Sequence, residues 1–143
     1  MTLILDTSVL FATIDRDDRD HARCRRLVEE ADEPLLVPSP VLPEVGYLVQ
    51  QRLGAGPLVV LLRDVVAGAY VVENLERSDY ERAADLVDRY SDADIGFVDA
   101  AIFAVVERLG ERKLATLDHR HFSVLRPRHV DALELVPEGP SNE

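Results

Sequence analysis

Met1-Thr2-Leu3-Ile4-Leu5-Asp6-Thr7-Ser8-Val9-Leu10 opens the chain, and its reading decides the fold. Leu3, Ile4 and Leu5 make a run too short for a helix and apolar at every position, as expected of a central strand buried on both faces. The run stops on an acid, and two hydroxyl residues then begin a second apolar segment. Asp6 is thereby placed where a strand leaves its sheet, the edge at which open α/β sheets bind ligands. A short helix is predicted over residues 7–14, with Thr7 or Ser8 near its N-cap.

The strand-then-helix alternation continues along the chain. Helices are predicted at 21–31, from Ser39 or Pro40 to 53, near 58–67, at 78–90 and near 97–109, with further strands at 35–37, 70–72, 113–117 and 133–136. Ala22, Leu27, Val28 and Ala31 are expected on the inner face of one helix, and Ala83, Leu86, Val87 and Tyr90 on that of another. Such alternation argues for a three-layer α/β/α fold with a mostly parallel five-stranded sheet. A single domain is expected over residues 1–136, followed by a flexible tail over 137–143.

The formal net charge of −11 argues against a protein that coats nucleic acid, because nonspecific binding is mainly phosphate neutralisation by Lys and Arg. It does not argue against a nuclease, whose acidic site reverses its local field when cations bind. Acidity also fits a basic protein partner. A lone cysteine, Cys24, allows no internal disulfide and fits a reducing cytosol. Asp6 interrupts any leader-like apolar opening, and residues 58–72, the most apolar stretch, contain Arg63 and Asp64. A cytoplasmic protein with no membrane association is the expectation.

Asp6 and Asp118 share one setting: each follows an apolar strand and precedes a helical turn. Either alone reads most simply as a helix N-cap. On neighbouring parallel strands, however, both would reach the same sheet edge. Glu44 lies beside the stripe Val41, Val45, Leu48 and Val49, and Asp99 is the one polar residue between Phe97 and Val106. Burying such a carboxylate without a partner or a cation is costly, although a first-turn position also favours an anion by about 0.3–1 kcal/mol. Four carboxylates without a Cys or His cluster describe a hard oxygen site for Mg2+ or Mn2+. Such sites serve hydrolysis of phosphate esters. Thr7, Ser8 and Thr116 are suitable donors to brace the acids. Asp94 could join through water, although a solvated loop acid is the simpler reading.

The sequence resembles the PIN-domain ribonucleases, specifically VapC-type toxins of VapBC toxin–antitoxin modules. The matching stretches are LILDTSVLFA at 3–12, PSPVLPEVGYLV at 38–49, IGFVDAAIFAVVERLG at 95–110 and LATLDHRHFSVLRP at 114–127. Carried over by position, Asp6, Glu44, Asp99 and Asp118 correspond to that family's acidic metal site, and Ser8 and Thr116 to its polar supports. The resemblance implies a PIN-like fold and Mg2+- or Mn2+-dependent endonucleolytic cleavage of RNA, with tRNA or rRNA as target and translation inhibited. It also implies a homodimer and neutralisation by a VapB-type antitoxin.

Other features carry less. His119 and His121 are read as RNA-facing or solvated loop side chains rather than ligands. Arg23 and Arg26, within a locally basic N-terminal third, are candidate RNA contacts set against an ordinary solvated helix face. A receiver domain would need paired acids closing its first strand, and a HAD-type phosphatase an Asp where Ser8 stands. An acidic module that merely binds a cation or a basic partner is the non-enzymatic alternative.

Overall fold

Residues 1–139 are described in the computed structural model of the chain. The elements run β1 (Leu3–Leu5), α1 (Thr7–Ile14), α2 (His21–Glu30), β2 (Leu35–Pro38), α3 (Val41–Leu53), α4 (Ala55–Val66) and β3 (Val71–Glu73). They continue with α5 (Arg77–Arg89), a 3-10 turn (Ser91–Ala93), α6 (Phe97–Arg108), β4 (Lys113–Ala115), α7 (His119–Val124) and β5 (Glu134–Val136). The five strands form one sheet in the order β3-β2-β1-β4-β5. Every pairing is parallel.

That order places the site. From β1 the chain builds outward through β2 and β3, then crosses back so that β4 pairs on the other side of β1. The reversal leaves a crevice at the carboxyl ends of β1 and β4, where doubly wound sheets bind their ligands. Leu5 is in register with Ala115, and the Asp6 N–H donates to the Ala115 carbonyl at 2.9 Å. The residues after the two strands therefore leave the sheet side by side. Leu3, Ile4 and Leu5 are buried, as an inner strand covered on both faces requires. Across α6, Ala100 to Val106 are all buried, so this helix is enclosed over most of its length.

Several boundaries and faces differ from expectation. Helix α4 begins at Ala55 rather than near 58, because Gly54, at φ 98°, ends α3 and turns directly into the next helix. Pro57 is tolerated there because the first helical turn needs no N–H donor. On α2 the buried residue is Cys24, while Ala22 faces solvent. On α5, Val87 is exposed, and Asp79 and Arg82 are buried with Ala83 and Leu86. The buried charges are paired across the α5–α6 interface. Arg82 grips Glu107 through two bonds of 2.7 and 3.0 Å. Arg108 reaches Glu73 at 3.0 Å, Glu76 at 3.2 Å and Asp79 at 3.0 Å.

Strand β5 ends at Val136, and the chain just beyond it is tied to α2: Arg23 donates to the Glu138 carbonyl at 3.2 Å. Residues 140–143 of the expected tail lie outside the described residues. Among those described, no helix is long and apolar enough to cross a membrane.

Candidate metal centre

Asp6 sits at the mouth of the crevice, 4% exposed. It is the N-cap of α1, with its Oδ1 accepting from the Thr7 N–H at 2.6 Å. Its Oδ2 accepts from Thr116 Oγ1 at 2.6 Å and from Ser8 Oγ at 3.0 Å. Each hydroxyl also accepts a backbone bond from the β4 side: Leu117 N–H to Ser8 at 3.0 Å, and Asp118 N–H to Thr116 at 2.9 Å. One connected set of hydrogen bonds thus fastens the end of β1 to the end of β4. Burial pushes the Asp6 carboxyl up, against the lowering effect of these three donors, and the charge of Asp118 adds to the rise. The N-cap geometry is thus present, and Ser8 and Thr116 both hydrogen-bond the Asp6 carboxylate.

Thr7 extends the set to α3, its hydroxyl donating to Glu44 Oε1. Glu44 occupies the first turn of α3 and is exposed. The desolvation argument applied to it from sequence therefore does not hold: its apolar neighbours point into the core while its carboxylate faces the opening. For Asp99 the argument does hold. Asp99 lies in the first turn of α6, partly buried, and its carboxyl is pushed up to about 6. Burial is the main cause, followed by the charges of Asp6 and Asp118 and a smaller one from Glu44, with His121 opposing. All four acids are thus within electrostatic reach of one point.

Asp118 caps α7. Its Oδ1 accepts from the His121 N–H at 3.1 Å, and its Oδ2 accepts from His121 Nδ1 at 2.7 Å. Asp99, Asp118 and His121 each bring one ligand atom into a group whose members lie within 4.8 Å of one another. His121, expected from sequence to be an RNA-facing or solvated loop side chain, stands beside Asp99 and Asp118 in this group. The available signal was the i, i+3 spacing from Asp118, which a single helical turn folds onto one face. His119 instead bonds the Thr116 carbonyl at 3.0 Å and so faces the strand end.

The other candidates are less engaged. Asp94 is exposed and closes the 3-10 turn with φ 58°. Arg23 is held by Asp20 at 2.9 Å and by the Glu138 carbonyl. Arg26 is exposed on α2.

The donor chemistry fits a divalent cation. Burial first, and then the neighbouring carboxylates, push the Asp99 carboxyl up, and a cation would relieve that repulsion while taking oxygen ligands. Asp99 and Asp118 would bind it directly, with Asp6 and Glu44 supplying neighbouring negative charge.

Thr116→Val tests the bracing. The substitution keeps the shape of a fully buried side chain but strips Asp6 of its 2.6 Å donor and the Asp118 N–H of its acceptor. We expect a loss of about 1–3 kcal/mol in chemical denaturation. Divalent-cation affinity, measured by calorimetry, should fall about 10–100-fold. Unchanged affinity would show that Thr116 supports the fold alone.

The family model described as the PIN domain matches residues 3–126. Ribonuclease VapC26 of Mycobacterium tuberculosis (strain ATCC 25618 / H37Rv) is 38% identical over 135 residues, spanning 94% of this chain and all of the relative. The crystal structure of Mycobacterium tuberculosis VapC20, a sarcin–ricin-loop-cleaving toxin, superimposes with a TM-score of 0.73 at 25% identity, covering 78% of this chain and 86% of that one. A chain of the VapBC2 structure from Rickettsia felis, bound to a promoter DNA fragment, superimposes with a TM-score of 0.69 at 17% identity over 94% and 98%. The family match over residues 3–126 and the 38% identity across nearly the full length of both chains show that the chain belongs to the PIN-domain family, with the VapC-type ribonucleases.

Proposed function

We propose that the chain is a divalent-metal-dependent endoribonuclease and the toxin of a type II toxin–antitoxin pair. The observation that carries this reading is the gathering of Asp6, Asp99 and Asp118, with Glu44 tethered beside them, at the switch point of the sheet. The similarity to a relative named as a ribonuclease, over nearly all of both chains, supports the activity.

When bound, Mg2+ or Mn2+ supplies charge neutralisation at the scissile phosphate and lowers the pKa of an attacking water. The protein's part is positioning. Asp99 and Asp118 would hold the cation, and Asp6, fixed by Thr116, Ser8 and the Thr7 N–H, places its carboxyl beside them. Glu44, at the open side, faces incoming substrate and solvent. Cleavage by in-line displacement would leave a 5′-phosphate and a 3′-hydroxyl. A contact from α2 to RNA would come from Arg26, because the Arg23 guanidinium is already held by Asp20 and Glu138.

The substrate proposed is a tRNA or rRNA, with inhibition of translation as the consequence; a solved relative is described as cleaving the sarcin–ricin loop. The partners proposed are a VapB-type antitoxin, as in the related complexes, and a second copy of the chain. The net charge of −11 suits an antitoxin arm of opposite sign.

Purified, antitoxin-free protein incubated with total tRNA and rRNA tests this reading. Cleavage is expected with Mg2+ or Mn2+, none with chelator, and none with Asp6→Asn. Intact RNA across all substrates and cations would leave the acidic binding module as the better account.

A further inference from the structure

We propose that His121 is a nitrogen ligand of the cation centre and that it makes the site favour a first-row transition cation over Mg2+. The inference rests on the metal reading above, but concerns a residue that an all-carboxylate site does not include.

The geometry is already close to that of a coordination edge. Ligand atoms about 2.1 Å from a common ion sit about 3 Å apart at adjacent octahedral positions, and His121 Nδ1 lies 2.7 Å from Asp118 Oδ2. The pair is held in place from the backbone, since the other Asp118 oxygen accepts from the His121 N–H at 3.1 Å. The third member, Asp99, approaches from α6, so the three donors arrive from two different elements. The remaining polar groups nearby are committed: Ser8 and Thr116 donate to Asp6, and the His119 ring faces the Thr116 carbonyl. Ligation would break the His121–Asp118 hydrogen bond, its proton passing to solvent, and free both atoms for the cation.

An imidazole in the donor set changes selectivity. Mg2+ prefers oxygen and gives up its waters reluctantly, whereas divalent first-row transition metals gain affinity from nitrogen along the series from Mn2+ to Cu2+. The site should therefore prefer Co2+ and Mn2+ to Mg2+, beyond what four carboxylates alone produce.

The test is calorimetric titration of metal-free full-length protein with Co2+, Mn2+ and Mg2+, for the parent, His121→Asn and His121→Ala, with the visible absorption of Co2+ recorded in parallel. Asparagine keeps a side-chain N–H able to reach Asp118 but offers no imidazole nitrogen. Both variants are expected to lose about 10–100-fold in Co2+ affinity, to change the Co2+ spectrum, and to keep their Mg2+ affinity within about threefold. If His121→Asn retains the parent's Co2+ affinity and spectrum, His121 only positions Asp118 and the proposal fails. Equal losses for Co2+ and Mg2+ would overturn the selectivity. A parent protein that binds none of the three cations would overturn the metal reading itself.

Discussion

An Asp99→Asn variant is expected to lose RNA cleavage by about 100-fold or more, while its metal-free form becomes more stable than the parent. The two effects have one origin. Asp99 is held among carboxylates in a partly buried position, and its carboxyl is pushed up to about 6 from 3.8. A displacement of that size disfavours the charged form by up to about 3 kcal/mol, which partial exposure reduces to about 1–2 kcal/mol. The folded chain therefore keeps the Asp99 proton at pH values where the unfolded chain has released it. Stability of the metal-free parent falls as pH rises from about 4 through about 6, and the penalty is complete above that. Asparagine carries no such penalty. Urea denaturation in chelator should find the variant ahead by about 1–2 kcal/mol at pH 7, with the gap closing toward pH 4. A saturating divalent cation should reverse the order, since it stabilises the form that binds it more tightly. A variant less stable than the parent at pH 7 would mean that Asp99 is not crowded by its neighbours.

Arg108→Ala is expected to cost about 3 kcal/mol of stability. Asp79 is 2% exposed, and its carboxylate accepts from Arg108 Nε and from the Glu76 N–H at 2.8 Å. Truncating the arginine leaves a buried anion with one neutral donor, and it frees Glu73 and Glu76 to repel it. The charge, more than the lost contact, carries the cost. Adding Asp79→Asn to Arg108→Ala should accordingly recover a substantial part of it. Helix α6 carries Asp99 in its first turn and Arg108 in its last, so the network also holds the helix that delivers this acid. A loss below about 1 kcal/mol would place the network among ordinary solvated surface pairs.

Much of this arrangement was legible in the sequence for definite reasons. Leu3-Ile4-Leu5 could only be a buried strand, and an acid closing it had to lie at the sheet edge. Asp118 repeated the setting, and parallel pairing brought the two together through Ser8 and Thr116. Asp99 stood out because an acid in an apolar helix needs a reason. Glu44 did not follow the same logic, since apolar neighbours one turn away do not bury a side chain that points between them toward an open cleft. The contact of His121 with Asp118 follows from the i, i+3 periodicity of a single helical turn, which a loop reading of residues 118–122 does not carry. The buried charges of α5 were missed because an amphipathic pattern assigns every charged residue outward; Arg82 and Asp79 face inward only because α6 offers them partners.

The most direct measurement is the mapping of 5′ ends in cellular RNA after induction of the chain without an antitoxin, beside an Asp6→Asn control. The account predicts new 5′-phosphate ends at a small set of positions in tRNA or rRNA, present with the parent and absent with Asp6→Asn. Identical end profiles for the two proteins, both folded and equally abundant, would contradict it.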